Sequence, residues 1–103
     1  MNTLTSAQLD RACGAVLASA AGDALGAPYE FELARIGEDG PQMIGGGLGG
    51  FEPGEWTDDT TMAWCVLDAA AEHGTLLDKA ALDQVARNFK DWVHSGPKDI
   101  GNQ

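Results

Sequence analysis

The amino-acid sequence predicts an all-α fold for this 103-residue chain. Three segments, at residues 5–21, 59–73 and 79–95, combine helix-capping residues with apolar residues at helical spacing. The long connection between the first two segments is rich in glycine and lacks the alternating pattern of a sheet. Hydrophobic residues make up 44% of the chain, so it can build a core, and its length suits one small domain.

The first predicted helix begins with a capping box, because Thr5 is a favourable N-cap and Gln8 follows three residues later. Beyond Arg11 the sequence reads ACGAVLASAAG, so small residues occupy nearly every face of the helix. This composition is typical of a central helix that other helices approach closely. We therefore expect the first helix to be covered on several sides.

The connection at residues 22–57 contains eight glycines between Gly37 and Gly54, and its middle reads GGGLGG. Glycine has no side chain to bury and loses much backbone entropy on folding. The composition therefore predicts a mobile surface loop, of the kind that often borders a functional site. Residues 28–36 indicate a short strand or a turn before that loop.

The other two predicted helices have clear boundary signals. Gly74 is a C-terminal stop for the second helix, and Asp78 is an N-cap for the third. Six consecutive apolar residues at positions 62–67 surround the second helix, so we expect it to be covered on both sides. The third helix is amphipathic and ends at Gly96 and Pro97.

The charge of the chain limits its partners. A formal net charge of -10, from 16 acidic and 6 basic residues, opposes a nucleic-acid-binding or anionic-membrane-binding surface, because both require clusters of Lys and Arg. The start, MNTLTSAQLD, does not have the pattern of a signal peptide, and the apolar runs are too short to cross a bilayer. We therefore expect a cytoplasmic protein, with Cys13 and Cys65 as buried free thiols.

The most informative stretch is WTDDTTM at residues 56–62, where Asp58 and Asp59 stand side by side at the start of the second helix. In one interpretation these carboxylates cap the helix and interact with its positive N-terminal end. In the other they bind Mg²⁺, which prefers hard oxygen ligands and would also relieve the repulsion between two adjacent carboxylates. The spacing alone does not decide between them.

Three further acids have two interpretations each. Asp23, between Gly22 and Gly26, either secures a turn at a helix end or lies beside a site. Glu30 either points into water or, in the apolar company of its neighbours, has a raised pKa suited to acid–base chemistry. Asp99 follows the third helix and is either a turn residue or part of a site.

Taken in order, these motifs resemble the ADP-ribosylglycohydrolase family, which includes the glycohydrolase that reactivates dinitrogenase reductase. The motifs are a helix ending in GAVLASAAGDALGAPYEF, a glycine-rich loop, GEWTDDTTMA at the start of an apolar helix, and GPKDIGN. The resemblance covers nearly the whole chain, and the WTDDT element is its most specific part.

The resemblance implies a compact multi-helix domain with a binuclear Mg²⁺ centre, or Mn²⁺ in some members, in a cleft that receives ADP-ribose. It implies that Thr57, Asp58 and Asp59 are metal ligands. It further implies that Glu30 and Asp99 are catalytic carboxylates, with Asp99 matching a general base of some members. It also implies that Asp23 is a structural acid beside the site, and that an ADP-ribosylated protein or ADP-ribose derivative is the substrate.

The sequence departs from the family pattern in one respect. The family completes its metal site with a late Asp-x-Asp motif, and the 103 residues contain no such motif. We therefore expect residues 1–103 to form a single incomplete domain, the N-terminal part of that fold, which is inactive alone and requires a complementary C-terminal segment or self-association. The alternative is an acidic helical interaction module without catalytic activity.

Overall fold

The computed structural model describes residues 3–101, and in that part of the chain the fold is helical. Helix α1 spans Ser6–Gly26, and a short 3₁₀ helix follows at Ala27–Glu32. Helix α2 spans Asp58–His73, and α3 spans Lys79–His94. Across these described residues the only β-pairing consists of two isolated bridges, so the predicted all-α class is confirmed.

Helix α1 begins as predicted and ends later than predicted. The hydroxyl of Thr5 accepts a hydrogen bond from the Gln8 N–H at 3.1 Å, and the Gln8 side chain accepts one from the Thr5 N–H at 2.9 Å. The helix passes Gly22 because a helical glycine costs only about 1 kcal/mol relative to alanine. It ends just before Ala27 and Pro28, because proline has no N–H to donate to the next helical hydrogen bond.

The covering expected for α1 is not supplied by residues 3–101. Every position from residue 3 to residue 19 is exposed, and Ala24 near the C-terminal end is the buried residue of the helix. The side chain of Leu17 is 70% exposed. Cys13 is also exposed, so the expectation that both thiols are buried is wrong for Cys13. The other cysteine of that prediction, Cys65, is buried, and both are free thiols.

The chain divides into two compact units, the first ending at Thr57 and the second beginning at Asp58. The first unit contains α1, the 3₁₀ helix and the glycine-rich connection. The region predicted as a short strand or turn is this 3₁₀ helix, which is interrupted at Glu30 (φ -61°, ψ 138°). Phe31 and Glu32 then adopt φ values of 56° and 59°, a left-handed conformation that is uncommon for residues other than glycine.

The second unit contains α2 and α3 packed against each other. Cys65 and Ala69 of α2 are buried, as is Ala81 of α3. The side-chain amide of Asn88 donates hydrogen bonds to the Cys65 carbonyl oxygen at 2.9 Å and to Asp68 Oδ2 at 3.2 Å. This polar contact fixes the register of the two helices, since one side chain of α3 binds both a main-chain group and a side chain of α2.

The boundaries predicted for α2 and α3 agree closely with the structure. Gly74 adopts φ 70° and donates its N–H to the Ala70 carbonyl at 2.8 Å, as a terminating glycine should. Asp78 caps α3 by accepting the Ala81 N–H at 2.9 Å. One turn further along α3, a hydrogen bond from Lys79 holds the pKa of the exposed Asp83 carboxyl below its usual value. None of the helices within residues 3–101 is long and apolar enough to span a bilayer.

Candidate active site

The clearest feature of the candidate site is a two-point contact between Asp23 and Thr57. Asp23 Oδ2 accepts the main-chain N–H of Thr57 at 2.9 Å, and Asp23 Oδ1 accepts the Thr57 hydroxyl at 2.6 Å. Thr57 is only 7% exposed, and Asp23 is half-buried. The carboxylate therefore satisfies both polar hydrogens of a buried residue that stands 34 positions later in the chain.

Each residue of this pair is placed by its local structure. Asp23 lies in the last turn of α1, which extends past Gly22 and so carries the carboxylate on a helix rather than in a turn. Thr57 is the residue immediately before α2. The sequence indicates Asp23 only as a candidate structural acid, and it does not reveal the partner because the contact bridges the whole glycine-rich connection.

The glycine-rich connection contains specific backbone contacts that its composition does not predict. Gly46 and Phe51 form an antiparallel bridge in which each donates its N–H to the other's carbonyl oxygen, at 2.7 Å and 2.9 Å. A Cβ on Gly45 would lie 2.6 Å from the Phe51 carbonyl oxygen, so this position accepts only glycine. Tyr29 adds a further contact, because its hydroxyl accepts a hydrogen bond from the Gln42 N–H at 2.9 Å. The expected loop is therefore built from specific turns and close backbone contacts.

Asp58 and Asp59 are the first two residues of α2, where carboxylates interact favourably with the helix dipole. Asp58 is half-buried and Asp59 is exposed. This placement agrees with the helix-capping interpretation. It is equally compatible with the ligand interpretation, since a carboxylate at a helix N-terminus can also bind a cation.

The chemistry of the predicted ligands fits Mg²⁺. Thr57 offers a hydroxyl oxygen, and Asp58 and Asp59 offer carboxylate oxygens, all of the hard type that Mg²⁺ binds together with water. Among residues 3–101 there is no group of three or more His, Cys, Asp and Glu side chains suited to hold a metal ion. A site built on Thr57, Asp58 and Asp59 alone would therefore contain two carboxylates.

The two predicted catalytic acids occupy different parts of the chain. Glu30 lies in the first unit, is exposed, and sits at the interruption of the 3₁₀ helix, directly before two residues in left-handed conformation. Backbone strain of this kind costs on the order of 1–3 kcal/mol for each residue and is concentrated at functional sites. Glu30 itself has ordinary extended φ and ψ values, so the strain lies in the two residues that follow it.

Asp99 lies in the second unit, beyond α3, and is half-buried. Its Oδ1 accepts the Gly101 N–H at 2.9 Å, which is the local turn contact expected of an aspartate before a glycine. The turn interpretation of Asp99 therefore describes its contact in this structure. Its carboxylate remains chemically suited to accept a proton, so the catalytic interpretation stays a prediction.

These features define a class of protein: a helical chain with an oxygen-rich acidic site, in which a tethered threonine directly precedes two aspartates at a helix start. Comparison with known proteins identifies the family. Residues 4–103 match the family model of the ADP-ribosylglycohydrolases, and the chain belongs to that family.

Several relatives are similar along nearly all of this chain. It is 45% identical to the ADP-ribosylarginine hydrolase Tri1 of Pseudomonas putida over 105 residues, which cover 97% of this chain and 28% of that protein. It is 42% identical to the ADP-ribosyl-[dinitrogen reductase] glycohydrolase of Rhodospirillum rubrum over 97 residues, covering 90% of this chain and 32% of that protein. The chain thus spans about a third or less of the length of these relatives.

Proposed function

We propose that this chain is the N-terminal segment of a Mg²⁺-dependent ADP-ribosylglycohydrolase, which hydrolyses the glycosidic bond between ADP-ribose and a modified protein side chain. The observation that carries the proposal is the family match over residues 4–103, together with the contact that holds Thr57 directly before Asp58 and Asp59. Relatives named for hydrolysis of ADP-ribosylarginine support an arginine-linked substrate.

In this proposal Thr57, Asp58 and Asp59 hold the metal, with Mg²⁺ as the natural ion and Mn²⁺ as a substitute. The full centre contains two ions, and the remaining ligands come from outside these 103 residues. When bound, a divalent cation orients ribose hydroxyls and lowers the pKa of a bound water. The half-buried position of Asp58 supports its role as a ligand, because partial exclusion of water strengthens its attraction to a cation.

The remaining chemistry belongs to Glu30 and Asp99. Cleavage of a glycosidic bond develops oxocarbenium character at the ribose carbon, and carboxylates assist by moving protons. A carboxylate oxygen of Glu30 or Asp99 would accept a proton from the attacking water or deliver one to the leaving nitrogen or oxygen. The left-handed conformation of Phe31 and Glu32, directly after Glu30, supports this assignment, since strained backbone is concentrated at functional sites.

Catalysis in this proposal requires a complementary C-terminal segment or self-association. Support comes from the relatives, of which the chain covers between 28% and 32%, and from the apolar surface of its helices. Leu17 of α1 and Trp64 of α2 are 70% and 61% exposed. They are two of sixteen large hydrophobic side chains that are exposed among the described residues, and an extensive exposed apolar surface marks an interaction site. We further propose that the protein acts in the cytoplasm, where its substrates would be modified intracellular proteins.

The second candidate is a non-catalytic acidic module that binds through the same apolar side chains. The exposure of Leu17 and Trp64 favours it as directly as it favours a complementary segment. The two candidates differ in what association produces, because an enzyme segment gains hydrolysis on association and a binding module does not.

Reconstitution of activity tests the proposal. The purified chain would be mixed with the C-terminal portion of the Pseudomonas putida relative, and release of ADP-ribose from an arginine-modified protein would be followed with and without Mg²⁺. We expect hydrolysis only when both parts and Mg²⁺ are present, and loss of hydrolysis in an Asp58→Ala/Asp59→Ala variant. Robust hydrolysis by the chain alone, at concentrations where sedimentation shows a monomer, would contradict the requirement for association.

Association without hydrolysis, when the intact relative is active under the same conditions, would favour the binding module. A Glu38→Ala/Asp39→Ala variant serves as the control, because this exposed acidic pair lies outside both α1 and the candidate site at residues 57–59. Reconstituted hydrolysis should be the same with this variant as with the unmodified chain.

A further inference from the structure

The contact between Asp23 and Thr57 fixes the direction in which the Thr57 hydroxyl points its proton. An ionised carboxylate can only accept hydrogen bonds, so Thr57 Oγ1 must be the donor in the 2.6 Å contact with Asp23 Oδ1. The neighbouring Thr57 N–H occupies Asp23 Oδ2 at 2.9 Å, which prevents the carboxylate from rotating without losing a bond. Two bonds to one carboxylate therefore set both the main chain and the side chain of Thr57.

This arrangement changes what the hydroxyl oxygen can bind. A hydroxyl has one proton and two lone pairs, so an oxygen that has given its proton to Asp23 meets any further partner as an acceptor. Further partners of Thr57 Oγ1 are then hydrogen-bond donors or cations. A charged acceptor also increases the negative charge on the hydroxyl oxygen, since hydrogen bonds to ionised groups polarise their donors more strongly than neutral ones.

We propose that Asp23 is a positioning residue for cation binding, which directs the proton of Thr57 Oγ1 away from the metal and presents the oxygen as a ligand. The proposal rests on the proposed function, because it assumes that Thr57 is a metal ligand. Asp23 itself need not touch the metal or the substrate. Partners that hold metal ligands in this way typically contribute about 10-fold to 100-fold to metal affinity.

Substitution of Asp23 by asparagine separates this role from a purely structural one. The asparagine side chain has the same shape and can still accept the Thr57 N–H with its oxygen. Its NH₂ group then faces Thr57 Oγ1 as a donor, which uses a lone pair of the hydroxyl and turns the hydroxyl proton outward. The hydrogen bond from the Thr57 N–H survives this substitution, so a purely structural role is kept in part. Cation binding is weakened, because the hydroxyl proton then points toward the cation.

The test uses the full 103-residue chain with Mn²⁺ alone as the probe. Free Mn²⁺ would be counted by electron paramagnetic resonance, and the position of the bound ion would be read from broadening of amide signals in proton–nitrogen NMR spectra. We expect broadening centred on Thr57, Asp58 and Asp59, and a loss of Mn²⁺ affinity of about 10-fold or more in Asp23→Asn. Asp10→Asn, which removes the same charge from an exposed position, should bind Mn²⁺ as the unmodified chain does.

Two variants of Thr57 keep the test decisive if Asp23→Asn folds poorly, as circular dichroism would reveal. Thr57→Val retains the main-chain bond to Asp23 and removes the hydroxyl, so it should lose Mn²⁺ affinity. Thr57→Ser restores the hydroxyl and should restore affinity. In the absence of metal, the Thr57 amide proton should resonate far downfield because of its bond to a carboxylate, in the unmodified chain and in Thr57→Val alike.

The outcomes distinguish this inference from the proposed function. If Asp58→Ala/Asp59→Ala abolishes Mn²⁺ binding while Asp23→Asn and Thr57→Val bind normally, the aspartates stand as ligands, and both the ligand role of Thr57 and the positioning role of Asp23 are overturned. If the unmodified chain shows no Mn²⁺ broadening at residues 57–59, both the metal site and the positioning role are overturned. Loss of affinity in Asp23→Asn and Thr57→Val, with recovery in Thr57→Ser, supports both.

Discussion

Gly47 lies directly against the main chain of Ala27, so closely that a Cβ added to the glycine would come within 2.5 Å of the Ala27 carbonyl oxygen. Ala27 is buried at the end of α1, and Gly47 lies in the middle of the glycine-rich connection. This contact shows why one glycine of the GGGLGG run is required. The run lets two backbone segments approach to a distance that no side chain permits.

Replacement of Gly47 by alanine should therefore destabilise the protein strongly. Gly47 has φ +74° and no room for a methyl group, whereas Gly50 has φ +64° and no atom within 4 Å of the place that an added methyl group would occupy. Both substitutions incur the cost of a left-handed conformation, about 1–2 kcal/mol. Gly47→Ala adds a backbone clash worth about 1–3 kcal/mol, so it should lower the free energy of unfolding further than Gly50→Ala. Urea titration followed by circular dichroism measures the free energy of unfolding of both variants. Equal losses would show that the backbone around Gly47 shifts to accommodate the methyl group without an energetic cost.

The contrast between these glycines shows which features of the fold can be predicted from the sequence. The signals at Thr5, Gly74 and Asp78 act over three or four residues, so the ends of the helices that they mark were predicted correctly. The bridge from Gly46 to Phe51 and the contact of Gly47 with Ala27 depend on three-dimensional proximity. Composition alone predicts a mobile glycine-rich connection, because composition shows that side chains are absent and contains no information about backbone contacts.

The candidate site follows the same division. Adjacent carboxylates at a helix start are visible in the sequence, so Asp58 and Asp59 were predicted as a site, and their place at the start of α2 agrees with the predicted helix. The partner of Thr57 was not predictable from spacing, because it stands 34 positions away, across irregular chain, at Asp23. The left-handed Phe31 also escaped prediction, since local preferences favour glycine, asparagine or aspartate in that conformation.

Removal of the Asp23 carboxylate should destabilise the chain even without metal. Asp23→Ala leaves the N–H and the hydroxyl of buried Thr57 without this acceptor, and each unsatisfied buried polar group costs about 1–3 kcal/mol. Thr57→Val removes only the hydroxyl bond and should cost less. The free energy of unfolding, measured in EDTA, is the readout, and Asp10→Ala is the exposed control. A loss in Asp23→Ala no larger than that of the control would mean that water replaces the carboxylate at no cost.

The hydrogen bonds between Asn88 of α3 and helix α2 should be broken by a negative charge at position 88. Asn88 donates to the Cys65 carbonyl oxygen and to the Asp68 carboxylate, so Asn88→Asp replaces a donor by an acceptor that faces two other acceptors. We expect a loss of stability larger than that of Asn88→Ala, which removes the bonds without adding repulsion. Thermal unfolding at neutral pH compares the two variants. If Asn88→Asp were the more stable of the pair, the bond to the Cys65 carbonyl would not contribute to helix packing.

The two cysteines should differ in reactivity with pH. Burial raises the pKa of the Cys65 thiol, and the nearby Asp68 carboxylate raises it further. A raised pKa means that less thiolate is present at any given pH, so Cys65 should react with iodoacetamide only at higher pH than an ordinary thiol. Cys13 is exposed and should be alkylated first at about pH 8. Mass spectrometry of digested protein measures each site, and unfolding in urea should remove the difference. Faster alkylation of Cys65 in folded protein would contradict its burial.

Binding of Mg²⁺ to the isolated chain should be weak and should depend on the aspartate pair. Two carboxylates and one hydroxyl provide only part of an octahedral shell, and water must supply the rest. Calorimetry should detect a weak heat of Mg²⁺ binding that disappears in Asp58→Ala/Asp59→Ala. The matched control is Glu38→Ala/Asp39→Ala, which removes another pair of adjacent acidic residues, both exposed, from the turn before Gly40. Tight uptake of Mg²⁺ that survives loss of Asp58 and Asp59 would place the cation site elsewhere in the chain.

Exposed apolar side chains on α1 should make the isolated chain associate with itself or bind a hydrophobic dye. Leu17 is 70% exposed on a helix whose preceding residues are exposed as well, whereas Leu77 is 95% exposed in the short connection between α2 and α3. Burial of one leucine is worth about 1.5–3 kcal/mol, so Leu17→Glu should weaken association by about 10-fold or more. Leu77→Glu, the same change at an isolated position, should have a smaller effect. Sedimentation velocity over a concentration series and dye fluorescence provide the measurements. A stable monomer that binds no dye would show that the apolar side chains of α1 remain exposed to water without driving association. That result would remove the structural support for both a complementary segment and a binding module.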